Sequence, residues 1–77
     1  MTTTLDRLAE GDTGIIEGFD LPQDTQVRLM EMGFLEGGEV RLVRFAPLRD
    51  PVEVAVLNSR ISIRRSEASG IRLRYFE

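Results

Sequence analysis

The stretch RLMEMGFLEGGEV, residues 28–40, decides how this chain folds, because an apolar helical run ends inside it and the next strand begins at its close. Three glycines fall within six positions of this stretch. We place Gly33 at the first position beyond the helix, where the backbone turns left-handed and Phe34 packs back onto Leu29. The other two glycines are then expected to supply positive φ for the turn into the strand.

Glycine-rich stretches also build phosphate-binding loops, but this one does not fit that use. A Walker A loop precedes a helix and needs a lysine on the phosphates, whereas these glycines follow a helix and the chain contains no lysine. Glu36 and Glu39 flank Gly37 and Gly38, and we read the two acids as solvated turn charges in preference to a cation site. The glycines therefore predict a helix stop and a turn, so Gly33→Ala should cost about 1 kcal/mol or more of stability.

Composition narrows the classes of function. The chain has 77 residues, which suffices for a single domain over 1–77. It contains neither cysteine nor histidine, so the usual ligands of zinc, copper and haem are missing, and so is the commonest general base. Only paired carboxylates could carry acid–base chemistry, and the sequence sets no pair apart. We therefore expect a protein that is not an enzyme.

Charge and hydropathy indicate a location and a kind of partner. No apolar run reaches the roughly 20 residues that a membrane span needs, so a cytoplasmic protein is expected. Residues 1–40 carry nine acids and two arginines, whereas residues 60–77 carry five arginines and two glutamates. We read this polarity first as complementarity within the fold and second as a surface that orients the protein on a partner. The net charge of −3 argues against a nucleic-acid footprint.

Hydrophobic periodicity predicts about five short strands and one substantial helix. The helix is expected over residues 23–32, with Asp20 as its N-cap and Gln23 completing a capping box. Ser66 and Glu67 indicate one further helical turn. Strand patterns at this spacing are typical of a small barrel, and an SH3-like barrel with the helix inserted after the first strand fits best. The predicted strands lie near residues 15–19, 40–46, 52–57, 61–64 and 71–76.

Several motifs in order give the chain a family resemblance. The helix stop MEMGF spans residues 30–34, the loop APLRDP spans residues 46–51, and the turn RRSEA spans residues 64–68. With the opening TLDRLAEGDTGIIEGF, they resemble the FeoA family of ferrous iron transport accessory proteins over almost the whole chain. Arg49 stands where that family commonly has glycine, which suggests a different loop conformation or an added contact.

The resemblance implies an SH3-like fold and a small, non-enzymatic cytoplasmic protein. Such a protein would regulate ferrous iron transport by binding the cytosolic part of FeoB, the membrane transporter with a G domain. It implies no cofactor and no membrane insertion, and it leaves metal binding and a weak homo-oligomer open. Similar domains also form the C-terminal part of iron-dependent repressors, which is one alternative. Another alternative is a nucleic-acid-binding small barrel that uses Arg60, Arg64, Arg65, Arg72 and Arg74.

Met30, Met32 and Phe34 are the first candidate partner-binding residues. They could form an exposed face for a partner helix, because methionine-rich surfaces adapt to different partners. The competing interpretation is that the same stripe belongs to the core. Asp50, in the proline-bounded loop, is read as a turn residue that accepts backbone hydrogen bonds.

Arg64 and Arg65 are the second candidate partner-binding residues. They could supply an arginine finger to a partner that hydrolyses GTP, because such a group stabilises charge in the transition state. The competing interpretation is a structural pair at the end of a strand, with one arginine bonded to Glu67.

Overall fold

The computed structural model describes residues 1–75, which form one six-stranded antiparallel sheet with one main helix. Along the sheet the strands follow the order β1-β6-β2-β3-β4-β5. The predicted mainly β fold is confirmed, and α1 follows β2, which is the first of the predicted strands but the second in the structure. No helix in the described part is long and apolar enough to cross a membrane. The elements are β1 (Thr2–Thr4), β2 (Thr13–Phe19), α1 (Gln23–Glu31), β3 (Glu39–Phe45), β4 (Val52–Val56), β5 (Ser59–Ile63), α2 (Arg65–Ala68) and β6 (Ile71–Arg74).

The first strand, β1, is the one that the hydrophobic pattern does not reveal. It contains only threonines, whose β-branched side chains suit an extended backbone but leave no apolar alternation to read. The strand pairs with β6 and places Thr3 opposite Leu73. A 3-10 turn at Leu5–Arg7 follows and carries Leu5 into the core. The described residues therefore contain one strand more than predicted.

Two bulges bend the sheet around a small apolar core. One lies between Ile16 and Gly18 where β2 pairs with β6, and the other lies between Leu42 and Arg44 where β3 pairs with β4. Bulges increase the local twist, which lets a short sheet curl. No polar side chain is buried among the described residues. The core consists of Leu5, Leu8, Ile16, Leu29, Phe34, Val40, Leu42, Val52, Val54, Val56, Ile63, Ala68, Ile71 and Leu73.

The start of α1 differs from the prediction. The N-cap position is Pro22, and no side chain caps the helix, so the capping box from Asp20 is wrong. Asp20 is held by the sheet instead, because its backbone N–H donates to the Gly70 carbonyl at 2.7 Å. Its carboxylate lies 3.4 Å from the guanidinium of Arg72. A tertiary contact at the end of β2 therefore replaces the local cap.

The end of α1 confirms the predicted helix stop. Gly33 has φ +109°, and its N–H donates to the Met30 carbonyl at 3.0 Å. The N–H of Phe34 donates to the Leu29 carbonyl at 3.0 Å. These two hydrogen bonds define a Schellman motif. Phe34 and Leu29 are both fully buried, as the apolar contact of that motif requires.

The turn after the helix contains one glycine with positive φ rather than two. Gly37 has φ +85°, and the N–H of Gly38 donates to the Leu35 carbonyl at 2.9 Å. Gly37 also donates to the Ile16 carbonyl at 2.7 Å, while the Ile16 N–H donates to Gly38 at 2.9 Å. The turn therefore docks on the bulged part of β2 as it leads into β3.

Candidate partner-binding surface

The outer face of α1 carries exposed apolar side chains. Val27 and Met30 lie three positions apart and remain 48% and 45% exposed. Met32 is partly buried and packs against the core. Phe34 has no exposed surface, so its assignment to a docking face is wrong. Its role in the Schellman motif turns its ring inward, and only Met30 among the three predicted residues offers substantial apolar surface.

Leu57 extends this apolar face beyond the end of the helix. It lies in the two-residue turn between β4 and β5, with φ +54° and 76% of its surface exposed. A Cβ placed on Gly33 would lie 3.1 Å from Leu57 Cδ1, so the Leu57 side chain rests against the helix stop. Val27 and Met30 lie three positions apart on α1, and Gly33 follows at the same spacing just beyond the end of the helix. We call Val27, Met30 and Leu57 the helix-end patch.

Leu57 is a member of this patch that sequence reasoning missed. An apolar residue in a strand pattern predicts burial, whereas the hairpin leaves Leu57 on the surface. Its left-handed backbone is uncommon for a leucine and stores strain of the kind found at functional positions. An exposed leucine beside exposed Met30 and Val27 makes an apolar patch of the kind that marks interaction sites.

The backbone N–H groups of Arg64 and Arg65 form hydrogen bonds within the fold, while their side chains are exposed. The Arg64 N–H donates to Glu67 Oε1 at 3.1 Å, and the Arg65 N–H donates to Asp50 Oδ1 at 3.0 Å. The reading of Asp50 as an acceptor of backbone hydrogen bonds is thereby confirmed. The Arg65 guanidinium has no ion-pair or hydrogen-bond partner within residues 1–75, whereas the charge of Arg64 acts on the nearby Glu67 carboxylate. Both charges are available on the surface.

Glu67 binds Arg64 through its backbone N–H, as the competing interpretation expected, and it also binds the side chain of Arg28 on α1. Arg28 Nη2 donates to Glu67 Oε2, and the Glu67 side chain is only 14% exposed. Burial raises the pKa of Glu67, but hydrogen bonds from the Arg64 N–H and the Arg28 guanidinium outweigh that effect, and the net pKa is lowered. Arg28 therefore joins α1 to α2.

The loop at residues 46–51 resolves the question raised by Arg49. Arg49 has φ +66°, so it keeps the left-handed conformation that glycine adopts readily. Its guanidinium carbon lies 4.3 Å from the centroid of the Phe45 ring. The departure from glycine thus adds a cation–π contact while the backbone stays left-handed. Leu48, at the tip of the loop, is 90% exposed.

Possible side-chain metal ligands among the described residues are mainly carboxylates, because the chain has no histidine or cysteine. No group of three or more carboxylate, histidine or cysteine side chains converges there. Glu36 and Glu39 lie exposed in and beside the turn before β3. The arrangement of exposed apolar and cationic groups on a rigid barrel is suited instead to contact with another macromolecule.

A curled antiparallel sheet with one inserted helix and exposed apolar and cationic side chains defines a small SH3-like binding domain. The chain belongs to the FeoA domain family, which matches residues 3–75. It is 32% identical to FeoA from Chlorobium tepidum, with a TM-score of 0.91 over 97% of this chain and 71% of that one. It is 33% identical to FeoA from Stenotrophomonas maltophilia, whose structure in complex with zinc is described as a prokaryotic SH3 domain protein. That similarity has a TM-score of 0.80 and covers 94% of this chain and 89% of that one.

A relative from Porphyromonas gingivalis connects the domain with the transporter. It is an Fe(2+) transport protein A/Fe(2+) transporter FeoB fusion protein, 35% identical over 69 residues. The match covers 90% of this chain and 8% of the fusion protein. A manganese-dependent transcriptional repressor shares the fold with a TM-score of 0.87 at 15% identity. The chain thus spans only a small part of the fusion relative, and the repressor is similar to it in fold alone.

Proposed function

We propose that this protein is a cytoplasmic, non-enzymatic accessory protein that regulates ferrous iron transport by binding the cytosolic part of a FeoB-type transporter. The fusion relative from Porphyromonas gingivalis carries this proposal, because it places a similar domain and FeoB in one polypeptide. Fusion raises the effective concentration of two domains that act on each other. A separate chain of the same family would need a surface with enough affinity to replace that tether.

The helix-end patch is the surface that we assign to this contact. Burying an exposed leucine or methionine side chain contributes roughly 1.5–3 kcal/mol, so Met30 and Leu57 can act as anchors. Arg64 and Arg65 lie on the barrel as exposed cations that are free to pair with acids of the transporter. Charges of this kind steer association and set orientation more than they raise affinity.

The local geometry of the two proposed anchors supports this assignment. Gly33 and its Schellman hydrogen bonds hold the end of α1, and Leu57 is fixed by a two-residue turn between paired strands. A preformed surface loses little conformational entropy on binding, which favours affinity. The patch therefore suits a partner that presents an apolar groove or helix.

Capture of the cytosolic part of FeoB by this protein, with and without guanine nucleotide, tests the proposal. Met30→Asp and Leu57→Asp should weaken capture, because each puts a charge where an apolar contact forms. Leu48→Asp is the matched control. Leu48 precedes β4 while Leu57 follows it, so the two exposed leucines lie at opposite ends of that strand. No capture by the unaltered protein would contradict the proposal.

The arginine-finger hypothesis for Arg64 and Arg65 has its own test. If one of them reaches the active site of the transporter's G domain, adding this protein should accelerate GTP hydrolysis, and Arg65→Ala should abolish the acceleration. Binding without any change in the rate of GTP hydrolysis would be consistent with the accessory role and would contradict the arginine-finger hypothesis.

A further inference from the structure

Strand β5 has an open edge in the part of the chain that the structure describes. It pairs with β4 on one side, and it is the last strand in the sheet order. Val56 faces Ser59 across the two-residue turn, and Val54 faces Ile61. Because hydrogen-bonded pairs alternate along an antiparallel ladder, the intervening Arg60 turns its N–H and C=O away from β4.

The next outward-facing position on β5 is Ser62, by the same alternation. No backbone or side-chain partner occurs for the peptide groups of Arg60 or Ser62 among residues 1–75. Both residues are exposed, and neither a bulge nor a proline interrupts the strand. This edge therefore offers hydrogen-bond donors and acceptors to a further strand.

The side chains along this edge have a definite chemical pattern. Arg60, Ser62 and Arg64 alternate on the outer face, while Ile61 and Ile63 point toward the core. Arg60 lies 3.8 Å from Glu53, but that carboxylate also binds Arg44 at 2.8 Å. One acid therefore serves two arginines, and the guanidinium of Arg64 adds a further charge. The outer face of the edge is cationic.

We propose that the free edge of β5 binds an extended acidic segment of a partner protein by strand addition. Backbone hydrogen bonds to Arg60 and Ser62 supply affinity, and the alternating side chains supply specificity. Acidic residues of the added strand lie opposite Arg60 and Arg64, and apolar residues lie beside Ile61 and Ile63. This site uses the backbone edge of β5 and not the apolar side chains of the helix-end patch, although Leu57 lies two residues before β5.

The arginines along β5 also disfavour a second copy of this chain as the partner that binds this edge. Antiparallel pairing of two β5 strands centred on Ser62 would set Arg60 of one copy opposite Arg64 of the other. Like charges directly opposite each other on neighbouring strands are destabilising. An acidic strand meets the same edge with favourable pairs at both positions.

A titration of ¹⁵N-labelled protein with the peptide acetyl-GEVSVEG-amide tests this proposal. The expected result is amide shift changes centred on Arg60 and Ser62, with slower hydrogen exchange of their amides in the complex. The lysine analogue acetyl-GKVSVKG-amide should bind about tenfold more weakly, a difference of about 1.4 kcal/mol, because two ion pairs become two repulsions. N-methylation of the peptide groups that face β5 should abolish binding.

Two variants of the protein separate charge from backbone. Arg60→Glu combined with Arg64→Glu should reverse the preference toward the lysine peptide. Ser62→Pro removes an outward N–H without touching the β4 ladder and should also abolish binding. Arg7→Glu is the control, because Arg7 is exposed, lacks a partner in the described chain and follows β1 at the other end of the sheet.

Three results would overturn the proposal. The first is equal binding of the acidic and lysine peptides by the unaltered protein. The second is a set of shift changes centred on a surface other than β5. The third is self-association through β5, detected by sedimentation, with no binding of the acidic peptide. If the charge-reversed variant keeps its native amide spectrum, failure to reverse the preference also counts against the proposal.

Discussion

Replacing Gly33 with alanine tests the helix stop on which the fold and the helix-end patch both depend. Gly33 has φ +109°, outside the range in which L-residues are stable. Holding a non-glycine residue in a left-handed conformation costs roughly 1–2 kcal/mol. The new Cβ would also lie 3.1 Å from Leu57 Cδ1 and 3.4 Å from Val56 Cγ2. Leu57 is exposed and can move aside, so the contacts add little.

The expected loss for Gly33→Ala is therefore about 1–2 kcal/mol. For a domain of this size, that corresponds to a fall in Tm of roughly 4–16 °C. Urea unfolding followed by circular dichroism measures the free energy of unfolding. The dependence of that free energy on urea concentration, the m value, should be the same for both proteins, so the midpoints can be compared directly. Gly37→Ala provides the matched control for the backbone, because Gly37 has φ +85° with no atom near the added Cβ.

A second control for Gly33→Ala measures how much an alanine substitution at an exposed position of α1 changes the stability. Glu31 is exposed, ends the helix and has no ion-pair or hydrogen-bond partner in the described residues. Glu31→Ala should be close to neutral. Arg28→Ala is unsuitable as a neutral control, because Arg28 binds Glu67. Equal stability of Gly33→Ala and Glu31→Ala would refute the assignment of the helix stop.

Three further changes test the packing and the ion pair. The lowered pKa of Glu67 contributes stability that is complete above the ordinary glutamate pKa of about 4.3 and is lost as the pH falls through the folded-state value. Glu67→Gln should remove this acid sensitivity from urea midpoints at pH 3 and pH 7, with an effect below about 1 kcal/mol because Arg28 is half exposed. Arg49→Ala should be less stable than Arg49→Gly by about 1 kcal/mol in the same assay, because both variants lose the Phe45 contact but only alanine keeps the strain of the left-handed backbone. Phe34→Ala should lose about 3–5 kcal/mol, and a folded variant of near-normal Tm would contradict its place in the core.

Local backbone rules explain what could be read from the sequence. Gly33 and Phe34 follow from the geometry of a helix end, and α2 follows from its polar start, because these features depend on neighbouring residues. For Phe34 the helix-end geometry and the proposed docking face exclude each other. A residue that packs back onto Leu29 in a Schellman motif cannot also belong to an exposed docking face.

Tertiary contacts explain what could not be read. The Arg28–Glu67 pair joins residues 39 positions apart, and no local pattern indicates it. Aspartate is a residue type favoured at helix N-caps, but the backbone N–H of Asp20 donates to the Gly70 carbonyl and so stays with the sheet. The alternating pattern of residues 52–57 predicts that Leu57 belongs to a strand. In the structure it lies in the two-residue turn of the hairpin, and its side chain is therefore exposed. Of the helix-end patch, the sequence therefore predicted only Met30.

A binding titration of the unaltered protein and Leu57→Asp against the cytosolic part of FeoB tests the central claim most directly. Isothermal calorimetry should give saturable binding for the unaltered protein and an affinity at least about tenfold lower for Leu57→Asp, the loss expected when an apolar anchor becomes charged. Leu48→Asp should bind like the unaltered protein. Equal affinities for all three proteins, or no binding by the unaltered one, would contradict an accessory role exerted through the helix-end patch.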